Sequence, residues 1–240
     1  MKIDAPLGTG YALDTVKDFA VAAERDGYDG VWTIEAQHDP FLPLVLAAEH
    51  TERLELGTGI AVAFARTPMS LAYVADDLQR MSGGRFILGL GSQIKPHIER
   101  RFAMPWSKPA ARMREFITAI RAIWRSWETG EPLRFTGEFY SHTLMTPFFS
   151  PGPNPHGNPP VFLAAVGEVM TRVAGEVADG LLVHGFTTPR YLAEFTIPKL
   201  EEGLAASGRT RADTEVTHAG FVATGASEQA MEAAKAGVLP

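Results

Sequence analysis

One pattern recurs along this sequence and limits its possible folds more than any other: a helical stretch, a short turn rich in Gly, Asp or Arg, then a brief apolar strand. In "LDTVKDFAVAAERDGYDGVWTI" the apolar residues Leu13, Val16, Phe19, Ala20 and Ala23 recur at helical spacing ahead of a strand at 30–34. "PFLPLVLAAEHTERLELGTGIAVAF" repeats the unit with a strand near 54–61. "TPMSLAYVADDLQRMSGGRFILGLG" repeats it with a strand at 86–90, its helix capped by Thr67, opened by Pro68 and ended by Gly83-Gly84. "FLAAVGEVMTRVAGEVADGLLVHG" places strands at 161–165 and 180–184 around a helix that reaches Ala178. Further strands are expected at 2–5 and 215–223, and a long amphipathic helix over 110–128, with Phe116, Ile117, Ile120, Ile123, Trp124 and Trp127 on one face.

Short strands of continuous apolar character belong to parallel sheets covered on both faces, and their alternation with helices makes an α/β protein. Seven such strands leave a doubly wound sheet or a TIM (β/α)8-type barrel. Residues with chemical potential follow the C-terminal ends of many different strands, which favours the barrel. Residues 1–240 read as one such domain with two insertions, at 91–109 and 129–160. The second holds seven prolines and many aromatics, Phe135, Phe139, Tyr140, Phe148 and Phe149 among them, and reads as a lid or binding loop beside an apolar pocket.

Composition narrows the chemistry. The chain has no Cys, which excludes disulfides, thiolate nucleophiles and Cys-ligated zinc. There is no H-E-x-x-H, no paired His at ligand spacing and no G-x-S-x-G, so neither a metal site nor a serine-hydrolase elbow is expected. The start Met1-Lys2-Ile3-Asp4 carries no apolar signal region, and a soluble cytoplasmic protein is expected. A formal charge of −6 argues against nucleic acid as a partner. Residues 95–125 run against that balance, with eight Lys/Arg and two acids. They read either as a solvated helix face or as an anchor for an anionic ligand.

"RFILGLGSQIKPHIERRF" carries Gly89 and Gly91 directly after a strand. A Rossmann fingerprint would place a third glycine at Ile94 and open a helix there, and neither condition is met.

With "DGYDGVWTIE", "LELGTGI", "RMREFITAIRAIW" and "PPVFLAAVGEVMTRVAGEVADGLLVH", and above all with P-x-x-L-A-x(6)-L-x(3)-S-G-G-R-x-x-L-G-x-G, the chain resembles the luciferase-like monooxygenase superfamily, in its branch of deazaflavin (coenzyme F420)-dependent oxidoreductases. The resemblance implies hydride transfer between F420 and a small organic substrate. The alternatives are an FMN-dependent monooxygenase on the same fold, or a catalytically degenerate cofactor-binding protein. It also implies that Gly91, Ser92 and Gln93 lie at the cofactor. A bulge with a non-proline cis peptide is implied around Gly59, Ile60 and Ala61, although a glycine-broken buried strand would read the same way. The phosphate would rest on backbone N–H groups across Ala164, Ala165, Val166, Gly167, Glu168, Val169 and Met170, a helix N-terminus arrangement. Glu168 is a departure there, since it puts a negative charge near a phosphate unless it points away.

The family's active-site pattern is Trp-x-x-Asp/Glu-His. Here it reads Trp32-Thr33-Ile34-Glu35-Ala36, with the nearest His at His38. Glu35 and His38 are therefore the candidate catalytic residues, His38 for proton transfer or else as a turn residue. His184, His97 and Glu99 are further candidates near strand ends. The resemblance also implies an eighth strand and helix that this sequence lacks. The expectation is then an incomplete barrel with two open edges, covered by a partner subunit in a homo-oligomer such as a dimer.

Overall fold

The computed structural model of the protein describes residues 1–220 and 222–238. The strands are β1 (Asp4–Pro6), β2 (Gly30–Thr33), β3 (Glu55–Thr58), β4 (Ala61–Val62), β5 (Phe86–Gly91), β6 (Phe135–Thr136), β7 (Ser141–His142), β8 (Val161–Ala165), β9 (Gly180–Val183) and β10 (Glu215–His218). The helices are α1 (Val16–Arg25), α2 (Leu42–His50), α3 (Pro68–Met81), α4 (Lys95–Arg100), α5 (Pro109–Thr129), α6 (Glu168–Val177), α7 (Pro189–Tyr191), α8 (Ile197–Ala206) and α9 (Glu228–Val238). The main sheet is parallel in the order β1-β2-β3-β5-β8-β9-β10, with β4 beside β5. It curls into most of an α/β barrel, and an eighth barrel strand is missing between β10 and β1 among the described residues.

The repeated module forms as its periodicity predicts. Val16, Ala20 and Ala23 bury one face of α1, whereas Leu13 stays exposed in a preceding turn. Thr67 and Ser70 make a capping box on α3, and Gly83 and Gly84 leave that helix with positive φ, where a Cβ would be strained. Arg85 then donates to the carbonyls of Ala48, Thr51, Leu54 and Ser82, which ties the end of α2 to the strands on either side. All six expected apolar residues of the long helix are buried.

The strand expected over 54–61 is broken in two, because the chain bulges between β3 and β4. The strand expected over 215–223 is seen at Glu215–His218, and Phe221 lies outside the described residues, as does Pro240. The loop expected at 91–109 contains α4.

The 129–160 insertion differs from the lid that its composition suggests. Its first part forms the hairpin β6–β7, held by α5: the Glu115 carboxylate accepts from the N–H groups of Glu138, Phe139 and Tyr140. Arg112, also buried, donates to the Tyr140 hydroxyl and the Pro105 carbonyl and lies over the Phe64 ring. The remainder straps the outer side of α3, where Tyr73 donates to the Phe149 carbonyl, Arg80 to those of Gly152 and Pro153, and Asn154 to Asp76. Phe148 and Phe149 sit exposed on that strap.

The two sheet edges approach each other at the N-terminal end of the strands. Lys2 Nζ lies 2.8 Å from Glu55 of β3 and 3.3 Å from Glu215 of β10. One lysine thus joins the first part of the sheet to its last strand.

Candidate active site

Barrel-facing residues alternate along each strand, and the lumen fills because bulky residues lie over glycines on the neighbouring strand. The Trp32 ring covers Gly57, whose Cβ would fall 2.4 Å from it, and Phe162 covers Gly180 in the same way at 2.6 Å. Ile87, Phe162 and Leu182 form a small apolar cluster distinct from the main core, with Trp32, Ile60 and Ala164 half-buried above it. These last three make an apolar floor at the C-terminal mouth of the barrel.

The bulge between β3 and β4 contains a cis peptide bond between Gly59 and Ile60, within the segment expected to hold one. Glu35, just beyond β2, braces this bulge. Its carboxylate accepts from the Val62 N–H at 2.7 Å and from Arg66 Nη1 at 2.6 Å, and its own N–H donates to the Ile60 carbonyl. Arg66 also pairs with Asp39 at 3.0 Å. Glu35 is therefore committed to an ion pair that is almost wholly out of solvent, the setting of a positioning group and not of a mobile acid. Arg66 carries no motif signal in the sequence, and only its spatial partners give it a role.

His38 is exposed on the same loop, and its ring lies 5.0 Å from that of Tyr11, on the loop after β1. The Tyr11 hydroxyl is buried without a hydrogen-bond partner. Burial, with the nearby Asp39 carboxylate adding to it, holds that hydroxyl above the usual tyrosine pKa. His38 and Glu35 thus stand on one loop but in different surroundings, one open to solvent and one locked.

The G-x-G of β5 is needed for contact with the bulge. A Cβ on Gly89 would fall 1.7 Å from the Thr58 carbonyl oxygen, and one on Gly91 would fall 2.9 Å from the Ile60 side chain. The close neighbours that these two glycines admit are the end of β3 and the bulge that follows it. Ser92 Oγ donates to the Gln93 carbonyl, and Gln93 has φ of 59°. His97 and Glu99 lie exposed on α4, and Arg101 donates to the Ala36 carbonyl, which fastens α4 to the His38 loop.

After β8, where Ala164 and Ala165 end the strand, the chain passes through Val166 and Gly167 into α6, with Gly167 as N-cap. The first-turn N–H groups of Glu168, Val169 and Met170 have no partners within their own helix. The Glu168 carboxylate lies 3.2 Å from Lys199 Nζ on α8, and Lys199 also meets Glu202 at 2.7 Å. Those two carboxylates, Glu202 foremost, raise the Lys199 pKa. His184, one residue past β9, accepts from the Phe186 N–H at 3.2 Å and stacks on that ring.

The basic run over 95–125 is largely neutralised by acids from elsewhere. Lys108 meets Glu138, Arg114 meets Glu176, Arg121 meets Asp179 and Arg125 meets Glu131. Arg100 is exposed on α4.

Among the described residues no helix is long and apolar enough to cross a membrane.

The sequence of the chain is 61% identical over 234 residues to the uncharacterized Mycobacterium tuberculosis protein Rv1360, covering 98% of this chain and 68% of that protein. It is 32% identical over 215 residues to an F420-dependent glucose-6-phosphate dehydrogenase of Intrasporangium calvum, covering 82% of this chain and 62% of that enzyme. The fold matches that of the coenzyme F420-dependent tetrahydromethanopterin reductase of Methanopyrus kandleri with a TM-score of 0.75 at 23% identity, over 90% of this chain and 65% of that one. It also matches the EDTA monooxygenase of Chelativorans sp. BNC1 with a TM-score of 0.83 at 16% identity, over 99% of this chain and 68% of that one. The chain thus spans about two thirds of the length of these relatives. A model of the luciferase-like monooxygenase family matches residues 1–239, the whole of the curled sheet and its mouth, and the chain belongs to that family.

Proposed function

We propose that this protein is an F420-dependent oxidoreductase that works on a small organic substrate at the C-terminal mouth of the barrel. The observation that carries the reading is one juxtaposition. An apolar group of Trp32, Ile60 and Ala164 lies where β8 runs on through Gly167 into α6, a helix N-terminus whose own acidic residue is held by Lys199. A planar ring system carrying a phosphate needs these two surfaces side by side. The name of the Intrasporangium relative supports F420 as that ring system.

F420 supplies a two-electron hydride donor or acceptor when bound. The chain's own residues supply the rest. Gly59, Ile60 and Ala61, held by Glu35 and Arg66, present the surface against which the ring packs. Gly91, Ser92 and Gln93 border it. The free N–H groups of Glu168, Val169 and Met170 hold the phosphate. His38, exposed on the loop after β2, exchanges the substrate proton.

The test is a visible-absorbance titration with F420 and, separately, with FMN. Saturable binding of F420 that FMN does not match supports the reading. Tighter FMN binding would make the protein a flavin monooxygenase of the same fold, and binding of neither would remove the redox reading.

A further inference from the structure

Beyond β1 the chain keeps its pairing with β2, the Leu7 N–H donating to the Trp32 carbonyl at 2.8 Å, and then runs through Gly8 and Gly10 to Tyr11. Strands β1 and β2 are parallel, so this segment and the loop that carries Glu35 and His38 leave the sheet at the same end. Tyr11 is half-buried against the main core, and its ring lies 5.0 Å from that of His38, tilted by 47°. Its hydroxyl is out of solvent and has no hydrogen-bond partner. A phenylalanine would fill the same space without burying a polar atom, so the hydroxyl adds nothing to the stability of the fold.

The acidic side chains of the neighbouring loop are already taken. Asp39 accepts from the Phe41 N–H at 2.9 Å through one oxygen and from Arg66 at 3.0 Å through the other. Glu35 accepts from Arg66 and the Val62 N–H. The His38 side chain differs from both: it is exposed, and among the described residues no hydrogen bond or ion pair fixes it. Burial, with Asp39 adding to it, raises the Tyr11 pKa, so the hydroxyl stays a donor throughout the neutral range. The same carboxylate disfavours an anionic oxygen at that point.

We propose that the Tyr11 hydroxyl donates a hydrogen bond to the oxygen of an uncharged ligand, a carbonyl compound or an alcohol, that enters beside His38. The exposed imidazole turns about its side-chain bonds to admit it, and the ion pair of the loop stays in place. Tyr11 then holds the oxygen next to the group that exchanges its proton. The inference rests on the proposed function for calling the ligand a substrate and for the part of His38, whereas the hydrogen bond itself needs no cofactor.

The test uses the 240-residue chain without cofactor. It is titrated with cyclohexanone, with cyclohexanol and with methylenecyclohexane, which has the shape of the ketone but no oxygen. The readout is the imidazole NMR signals of His38, assigned by their loss in His38→Gln. Both oxygen compounds should move those signals saturably, and Tyr11→Phe should weaken each roughly two- to tenfold, the worth of one neutral hydrogen bond. Affinity for methylenecyclohexane should be the same in both proteins. Tyr11→Phe should also melt about 2–4 °C higher, since it removes a buried unpaired hydroxyl. Equal affinities for the oxygen compounds in parent and Tyr11→Phe, or no saturable shift with either, would overturn the proposal. A melting temperature below that of the parent would overturn it too, by making the hydroxyl part of the fold. An F420 titration of the same samples keeps the two readings apart. Failure of the parent to bind F420, with the ketone result intact, removes only the cofactor reading; F420 binding with equal ketone affinities removes only the inference about Tyr11.

Discussion

Lys199 Nζ sits 3.2 Å from the carboxylate of Glu168, so the acid that opens α6 is neutralised by a residue on α8. This relationship converts an apparent defect of the helix terminus into a controlled one. An uncompensated carboxylate at the first turn would occupy the same favourable potential that a bound phosphate needs.

Lys199→Ala should therefore weaken binding of a phosphate-bearing cofactor by roughly two- to fivefold, the range of a single charge at a helix end. Glu168→Gln should tighten it slightly, and the double variant should return close to the parent. Equal affinities across the four proteins would mean that the terminus does not hold the phosphate.

Glu35 and His38 should separate cleanly. Glu35→Gln removes the charge from a largely buried pair while Arg66 keeps Asp39, and should cost about 1–3 kcal/mol of stability, measured by denaturant unfolding. His38→Ala should leave stability unchanged and lower turnover with cofactor affinity nearly intact. A fall in turnover for Glu35→Gln with full stability would instead give that carboxyl a direct part in the reaction.

Arg100 stands exposed on α4, the helix that Arg101 fastens to the Ala36 carbonyl of the His38 loop. Arg100→Glu should weaken F420 binding more at low than at high ionic strength, while Arg121→Glu, which breaks a pair with Asp179, should act on stability. The readout is affinity across a salt series. An identical salt dependence in parent and Arg100→Glu would return α4 to the role of a solvated surface.

Asp4 faces the lumen and accepts from Trp32 Nε1–H at 2.9 Å, with its other oxygen buried and unpaired. Burial raises its pKa above 3.8, and Glu55 and Asp29 push the same way against the Trp32 bond. Folding thus favours the protonated carboxyl, so this group's contribution is fully present below the unfolded pKa and is lost as pH rises through the folded one. Asp4→Asn should raise the unfolding temperature at neutral pH, and the gain should vanish as pH falls into the carboxylate range. A gain of equal size at every pH would assign the effect to something other than ionisation.

The alternation of helix and apolar strand made the architecture legible, because outside the two insertions it runs from Val16 to Val183. The capping of α3 and the buried face of α5 were equally readable, since each depends on residues close in sequence. Partners across space were not. Arg66 and Lys199 lie 31 residues from the carboxylates they neutralise, and no local spacing announces either pair. The basic run misleads for the same reason: its partners Glu138, Glu176 and Asp179 belong to other elements. The aromatics of the insertion likewise show their place only once Tyr73, Arg80 and Asp76 fasten the strap to the outside of α3.

The seating of Trp32 on Gly57 and of Phe162 on Gly180 has a bearing on how this barrel can change over time. Gly57→Ala alone drives a methyl into an indole and should cost about 1–3 kcal/mol, the usual penalty of overpacking. Made together with Trp32→Leu, it should cost less than the sum of the two single changes, which thermal unfolding of the four proteins would reveal. The lumen is thereby inherited in couples, and a mutational path that alters one member first passes through an unstable intermediate. Homologues should accordingly vary at 32 and 57, and at 162 and 180, in step.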